Sequence, residues 1–147
     1  MPSPQSIRSE IEIDATPEAV FDILTDLERY GEWNPFTPRI DSSLELGAPV
    51  RMRVRLRSDE RLMTQVEYVT ANERPHKLCW GANIPLRFLI RADRCQTLER
   101  LEGGRTRYVC TDAFSGLLTP VVMRFFGPAV QRGFDDCALA LKKRAES

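Results

Sequence analysis

Between Val50 and Arg57 the chain alternates without a break. Val50, Met52, Val54 and Leu56 fall on one side, and Arg51, Arg53, Arg55 and Arg57 on the other. Successive side chains of a strand point to opposite faces, so this stretch predicts a β-strand with one buried and one solvated face. Such a strand belongs to an antiparallel sheet covered on one side only. The cover comes from the end of the chain. Met123, Phe126, Val130, Phe134, Cys137 and Leu141 recur at helical spacing, one continuous apolar stripe. The four arginines are read as the solvated face of the sheet, in preference to an anion-binding stripe.

The other segments fit the same plan. Ile7, Ile11 and Ile13 alternate with polar residues, which predicts a first strand. Thr16-Pro17 reads as an N-cap and first-position proline, opening a short helix that buries Val20, Phe21, Ile23 and Leu24. Thr25 with Glu28 fits a capping box for a second short helix, ended by Asn34-Pro35. Strands are predicted over 64–70, 77–82, 90–101 and 105–114, the last two joined by a two-residue turn at Gly103-Gly104. Leu78, Trp80 and Ala82 share one side of their strand. Thr119-Pro120 reads as the N-cap and start of the long helix, with a kink expected at Pro128. The order predicts an α+β fold: a curved antiparallel sheet, two short helices after strand 1, and a long C-terminal helix across the sheet.

Composition narrows the chemistry. The 147 residues suit one domain, taken as 1–147, and 42% hydrophobic with 29% charged residues is an ordinary globular balance. Basic and acidic residues cancel at 21 each, which argues against nucleic acid or an anionic membrane as the partner. No apolar run reaches the roughly 18 residues of a membrane span, and the polar start MPSPQSIRSE shows no signal peptide. A cytoplasmic location with reduced thiols is the expectation. Cys79, Cys95, Cys110 and Cys137 have no Cys-x-x-Cys spacing, and the single histidine, His76, follows Pro75 in a predicted turn. A zinc ribbon, a Ser-His-Asp triad or a two-histidine metal site therefore finds no support. No metal and no cofactor are assigned. Monomer and homodimer both stay open.

Several strings resemble the START/polyketide-cyclase superfamily (SRPBCC). The opening IEIDATPEAVFDILTDLERYGEWNPF is similar to the family's strand, Ala-x-Pro-x-x-Val-Phe helix and Tyr-x-x-Trp-Asn-Pro turn. GGRTRY, Phe-Ser-Gly-Leu-Leu at 114–118 and the closing LALKKRAES resemble it again, so the resemblance spans residues 7–146. It implies the helix-grip fold, a sheet curled around the long helix with an apolar cavity between them. It names neither a ligand nor a catalytic motif.

A two-residue hairpin turn sets Cys110 opposite Thr97, Asp112 opposite Cys95 and Phe114 opposite Asp93. This register puts Asp93, Cys95 and Thr97 on one face with Cys110, Asp112 and Phe114, with Asp93 and Asp112 as diagonal neighbours, and the resemblance implies that this face is the inward one. Asp112, Asp93 and Tyr108 are then the weak catalytic candidates, because paired carboxylates in a low dielectric push a pKa up. Pairing of Asp93 with Arg91 or Arg94, or a bulge that turns it outward, is the competing reading. The ligand-lining candidates are Trp33, Phe36, Met52, Val54, Tyr68, Trp80, Tyr108, Asp112, Phe114, Phe126, Val130 and Phe134. Three functions fit, in this order. The first is binding of a hydrophobic or amphipathic small molecule, a lipid, polyketide or aromatic compound, under a helical lid hinged at Pro128. The second is a cyclase, aromatase or dehydratase using cavity carboxylates. The third is a module that binds a partner chain through the apolar helix face.

Overall fold

The computed structural model describes residues 5–55, 61–82 and 90–147. Strand β1 (Gln5–Ile13) leads into helix α1 (Pro17–Thr25) and a 3₁₀ turn (Leu27–Glu32). Strands β2 (Arg39–Asp41), β3 (Pro49–Val54), β4 (Met63–Glu73), β5 (Lys77–Gly81), β6 (Arg91–Arg100) and β7 (Thr106–Ser115) follow, and helix α2 (Thr119–Glu146) ends the fold. The strands form one antiparallel seven-stranded sheet in the order β1-β7-β6-β5-β4-β3-β2. The sheet curves around α2, the α+β helix-grip architecture.

Local chemistry explains the framework. Thr16 caps α1 by accepting from the Ala19 N–H at 3.2 Å, with Pro17 just inside. Val50, Met52 and Val54 are buried while Arg51, Arg53 and Arg55 are exposed, as the alternation demands; Leu56 and Arg57 lie outside the described residues. Helix α2 buries Val130, Phe134, Cys137, Ala138 and Leu141. It is tied along β1 by side chain to backbone bonds: Gln131 Nε2 donates to the Arg8 carbonyl at 2.9 Å and Lys142 Nζ to the Glu12 carbonyl at 2.8 Å.

Four expectations change. The β6–β7 turn holds three residues, Glu102–Gly104, with positive φ at Gly103 and Gly104, so Asp93 pairs with Ala113, Arg94 with Asp112 and Gln96 with Cys110. One extra turn residue reverses the faces of β6. Ala92, Arg94, Gln96 and Leu98 point inward, and Asp93, Cys95 and Thr97 outward. The capping box at Thr25 does not form, because the Thr25 hydroxyl donates to the Phe21 carbonyl at 2.9 Å instead. Thr119 is the first residue of α2 and makes no capping bond; Leu118 takes the N-cap position. Pro128 lies inside α2, which spans Thr119–Glu146 as one element. The thiols are not all reduced: Cys79 and Cys95 are cross-strand partners with Cα atoms 4.1 Å apart and are joined by a disulfide, while Cys110 and Cys137 are free and buried.

Candidate functional site

Between the N-terminal half of α2 and β3, β4, β6 and β7 lies a cavity of about 400 Å³. Met52 and Val54 of β3, Met63, Gln65 and Glu67 of β4, and Ala92 and Arg94 of β6 form its sheet wall, with Asp112 and Phe114 of β7. Val122, Met123, Phe126, Gly127, Val130 and Phe134 of α2 form the roof. Met63, Val66 and Phe126 line the cavity and are also exposed, so they mark its mouth. Next to them on α2 and the turn before it, Leu117, Leu118, Val121 and Phe125 are exposed as well.

Phe36 enters from the far side. The Asn34 side-chain oxygen accepts from the backbone N–H groups of Phe36 and Thr37 at 3.0 and 2.9 Å, which fixes the Asn-Pro-Phe-Thr turn. The ring then lies against Gly133 of α2, where a Cβ would overlap it. It meets Phe134 edge-on at 5.6 Å between ring centres.

The wall is apolar except for Gln65 and three ionisable groups. Arg94 is buried at 6% exposure. Its guanidinium carbon lies 4.6 Å from the ring centre of Phe134, 5.5 Å from that of Trp80 and 6.0 Å from that of Phe36. Its Nε donates to Cys110 Sγ at 3.4 Å. Among the described residues no carboxylate reaches ion-pair distance of it. Burial pushes the Asp112 carboxyl up to about 6, with Arg94 opposing and Asp93 adding to the shift, and Asp112 Oδ1 is buried with no hydrogen-bond partner. Burial pushes Glu67 up to about 8, helped by the charge of Asp112. Cys137 beneath the roof is pushed up to about 12 by burial and is a thiol.

The model for the family described as polyketide cyclase/dehydrase and lipid transport matches residues 4–146. The chain belongs to this family. No curated protein matches it. Three solved structures share its fold at low identity. The Zhui aromatase/cyclase from Streptomyces sp. R1128 is 17% identical, over 98% of this chain and 94% of that one, at a TM-score of 0.78. TTHA0849 from Thermus thermophilus is 16% identical over 97% of both chains at 0.73. A START superfamily protein from Mycobacterium smegmatis is 16% identical, over 96% of this chain and 97% of that one, at 0.71.

Within this polyketide cyclase/dehydrase and lipid transport fold, Phe36, Met52, Val54, Asp112, Phe114, Phe126, Val130 and Phe134 line the cavity. Trp33, Tyr68, Trp80, Tyr108 and Asp93 do not. Trp33 packs on Tyr30 at 5.1 Å between ring centres. Tyr68 pairs with Pro49 and Gly81, which turns it to the outer face. Trp80 and Tyr108 point inward but lie in the packed core, and the Tyr108 hydroxyl donates to Gln96 Oε1 at 2.6 Å. Asp93 accepts from Arg91 Nε at 2.8 Å on the outer face, so the Asp93/Asp112 pair does not exist on one face. Sequence reasoning missed Arg94 and Glu67. The one-residue register error hid Arg94. Glu67 was legible as the register partner of a buried Val50 once β3 and β4 pair.

Proposed function

We propose that this chain binds a hydrophobic or amphipathic small molecule in the cavity between the sheet and α2. The observation that carries the reading is the cavity itself, about 400 Å³, within the size range of small-molecule sites and walled by aromatic, aliphatic and methionine side chains around a few polar groups. Four rings, Phe36, Phe114, Phe126 and Phe134, offer edges and faces to an apolar guest. Native mass spectrometry of freshly purified protein tests it: a co-purified small molecule, displaced by an added hydrophobic probe, is the expected result. A chain that emerges empty and takes up no such probe would refute it.

A second reading, a cyclase, aromatase or dehydratase, draws on Asp112. A carboxyl pushed up to about 6 that faces a cavity with one oxygen unpartnered has the properties of a general acid or base near neutral pH. Asp112→Asn would then lower the rate on a true substrate by about 10²–10⁴ with binding retained.

A further inference from the structure

Arg94 is the one cation in the cavity wall among the described residues, and no carboxylate of theirs reaches ion-pair distance of it. A buried charge is normally paired, because an isolated ion in a low dielectric is costly. Here three aromatic rings lie about the guanidinium, and its side-chain hydrogen bonding is to cysteine sulfur, Cys110 Sγ at 3.4 Å and Cys137, weak acceptors both. Asp112, its register partner across β6 and β7, forms no ion pair with it and keeps Oδ1 unpartnered. Most of the remaining wall is apolar, with Met52, Val54, Phe114 and Val130 in the same cavity.

We propose that the cavity selects an apolar molecule bearing a single carboxylate, and that this head group lies on Arg94 as its ion-pair partner. The inference rests on the small-molecule reading above and adds the chemistry of the ligand's polar end. One guanidinium matches one negative charge, and a second charge on the ligand would face the Asp112 carboxylate in the same wall.

Binding is then linked to protons. The groups facing Arg94 are Glu67 on β4, Tyr108, Cys110 and Asp112 on β7, Cys137 on α2 and Tyr30 in the 3₁₀ turn, while Asp93 on the outer face of β6 acts on Glu67 and Asp112. Tyr30, Tyr108 and Cys137 are held protonated by burial. Asp112 and Glu67 are the ones that change near neutrality. A carboxylate on Arg94 cancels the cation that holds their charged forms down in pKa, so both gain proton affinity as it binds. Affinity for the carboxylate therefore falls as pH rises from about 6 to about 9, where the two wall carboxylates are charged and compete for Arg94.

The test uses the neutral fluorescent probe N-phenyl-1-naphthylamine, displaced from the full chain by decanoate or by decanol. The expected result is that decanoate displaces the probe about 10–100-fold more tightly than decanol, the range of a charge-assisted contact, and that Arg94→Met removes the difference while the probe still binds. Equal displacement by the two, or a preference that survives Arg94→Met, overturns the proposal and leaves the cavity reading standing. Failure of the probe to bind the native chain overturns both. Should Arg94→Met not fold, calorimetry of the native chain in buffers of different ionisation enthalpy decides. Net proton uptake at pH 7 with decanoate and none with decanol supports the proposal. No uptake with decanoate overturns it.

Discussion

Arg94 and Asp112 stand opposite each other on β6 and β7, a cation and a carboxyl in register, and no ion pair joins them. The arginine turns to the rings of Phe134, Trp80 and Phe36, and the carboxyl is left to the cavity. An oppositely charged neighbour lowers an acid's pKa only as far as burial allows, and here burial prevails.

Asp112 should therefore cost stability at neutral pH. Its folded pKa, about 6, lies above the roughly 3.9 of a free aspartate, so the folded state binds more protons between the two values. Stability falls as pH rises through that window and stays reduced above it. Asp112→Asn removes the desolvated charge and keeps the shape. It should gain about 1–3 kcal/mol at pH 7 and nothing at pH 3.5 in urea unfolding. A loss at pH 7 would mean that the carboxylate has a partner in solution.

Glu67 behaves alike in a different window. Its pKa of about 8 against roughly 4.3 in the unfolded chain makes stability fall from mildly acidic pH until about 8. Glu67→Gln together with Asp112→Asn should flatten the stability profile between pH 5 and 8. A profile as steep as that of the native chain would assign the slope to other groups.

Cavity filling distinguishes the two faces of β6. Ala92 lines the cavity and Thr97 is exposed on the outer face. Ala92→Phe should weaken binding of a hydrophobic fluorescent probe about tenfold or more, and Thr97→Phe should leave it within about twofold. The reverse order would restore the two-residue turn and its register.

Gly133→Ala pits helix propensity against packing. An alanine in a helix interior gains about 1 kcal/mol over glycine. The new Cβ overlaps the Phe36 ring, whose backbone is held by Asn34 and by Arg55, the latter donating its N–H to the Phe36 carbonyl at 2.8 Å. Overpacking of this kind costs about 1–3 kcal/mol. A lower melting temperature is expected, partly restored by Phe36→Leu in the same chain.

Arg53→Gln with Arg55→Gln should change probe affinity by less than about twofold, since both side chains are exposed on the face away from α2. A tenfold loss in fluorescence titration would make the stripe part of the site.

Much of this architecture was legible because its signals are periodic. The alternation at Val50–Val54 and the stripe Val130, Phe134, Cys137, Leu141 each survive an error of one residue at their ends. The charged centre was not legible in the same way. Whether Arg94 or Asp93 faces inward depends on the number of residues in one turn, and Gly103-Gly104 suits a two-residue and a three-residue loop equally in sequence. Phe36 was named for its type, but what seats it, the Asn34 side chain and the bare Cα of Gly133, emerges only from contacts distant in the chain.

The three-residue turn at Glu102–Gly104 gives the surface control over the interior. β7 is held by β1 on its other side and β6 by β5 and the Cys79–Cys95 disulfide, so a turn of different parity would be taken up by β6 only with that disulfide broken. A chain shorter by one glycine there, with each interior side chain unchanged, would present Asp93, Cys95 and Thr97 to the cavity and send Arg94 to water. The wall would exchange a cation for an anion in one deletion. Exposed turns usually tolerate changes of length because nothing depends on them; at this one, the number of residues decides which charge faces the cavity.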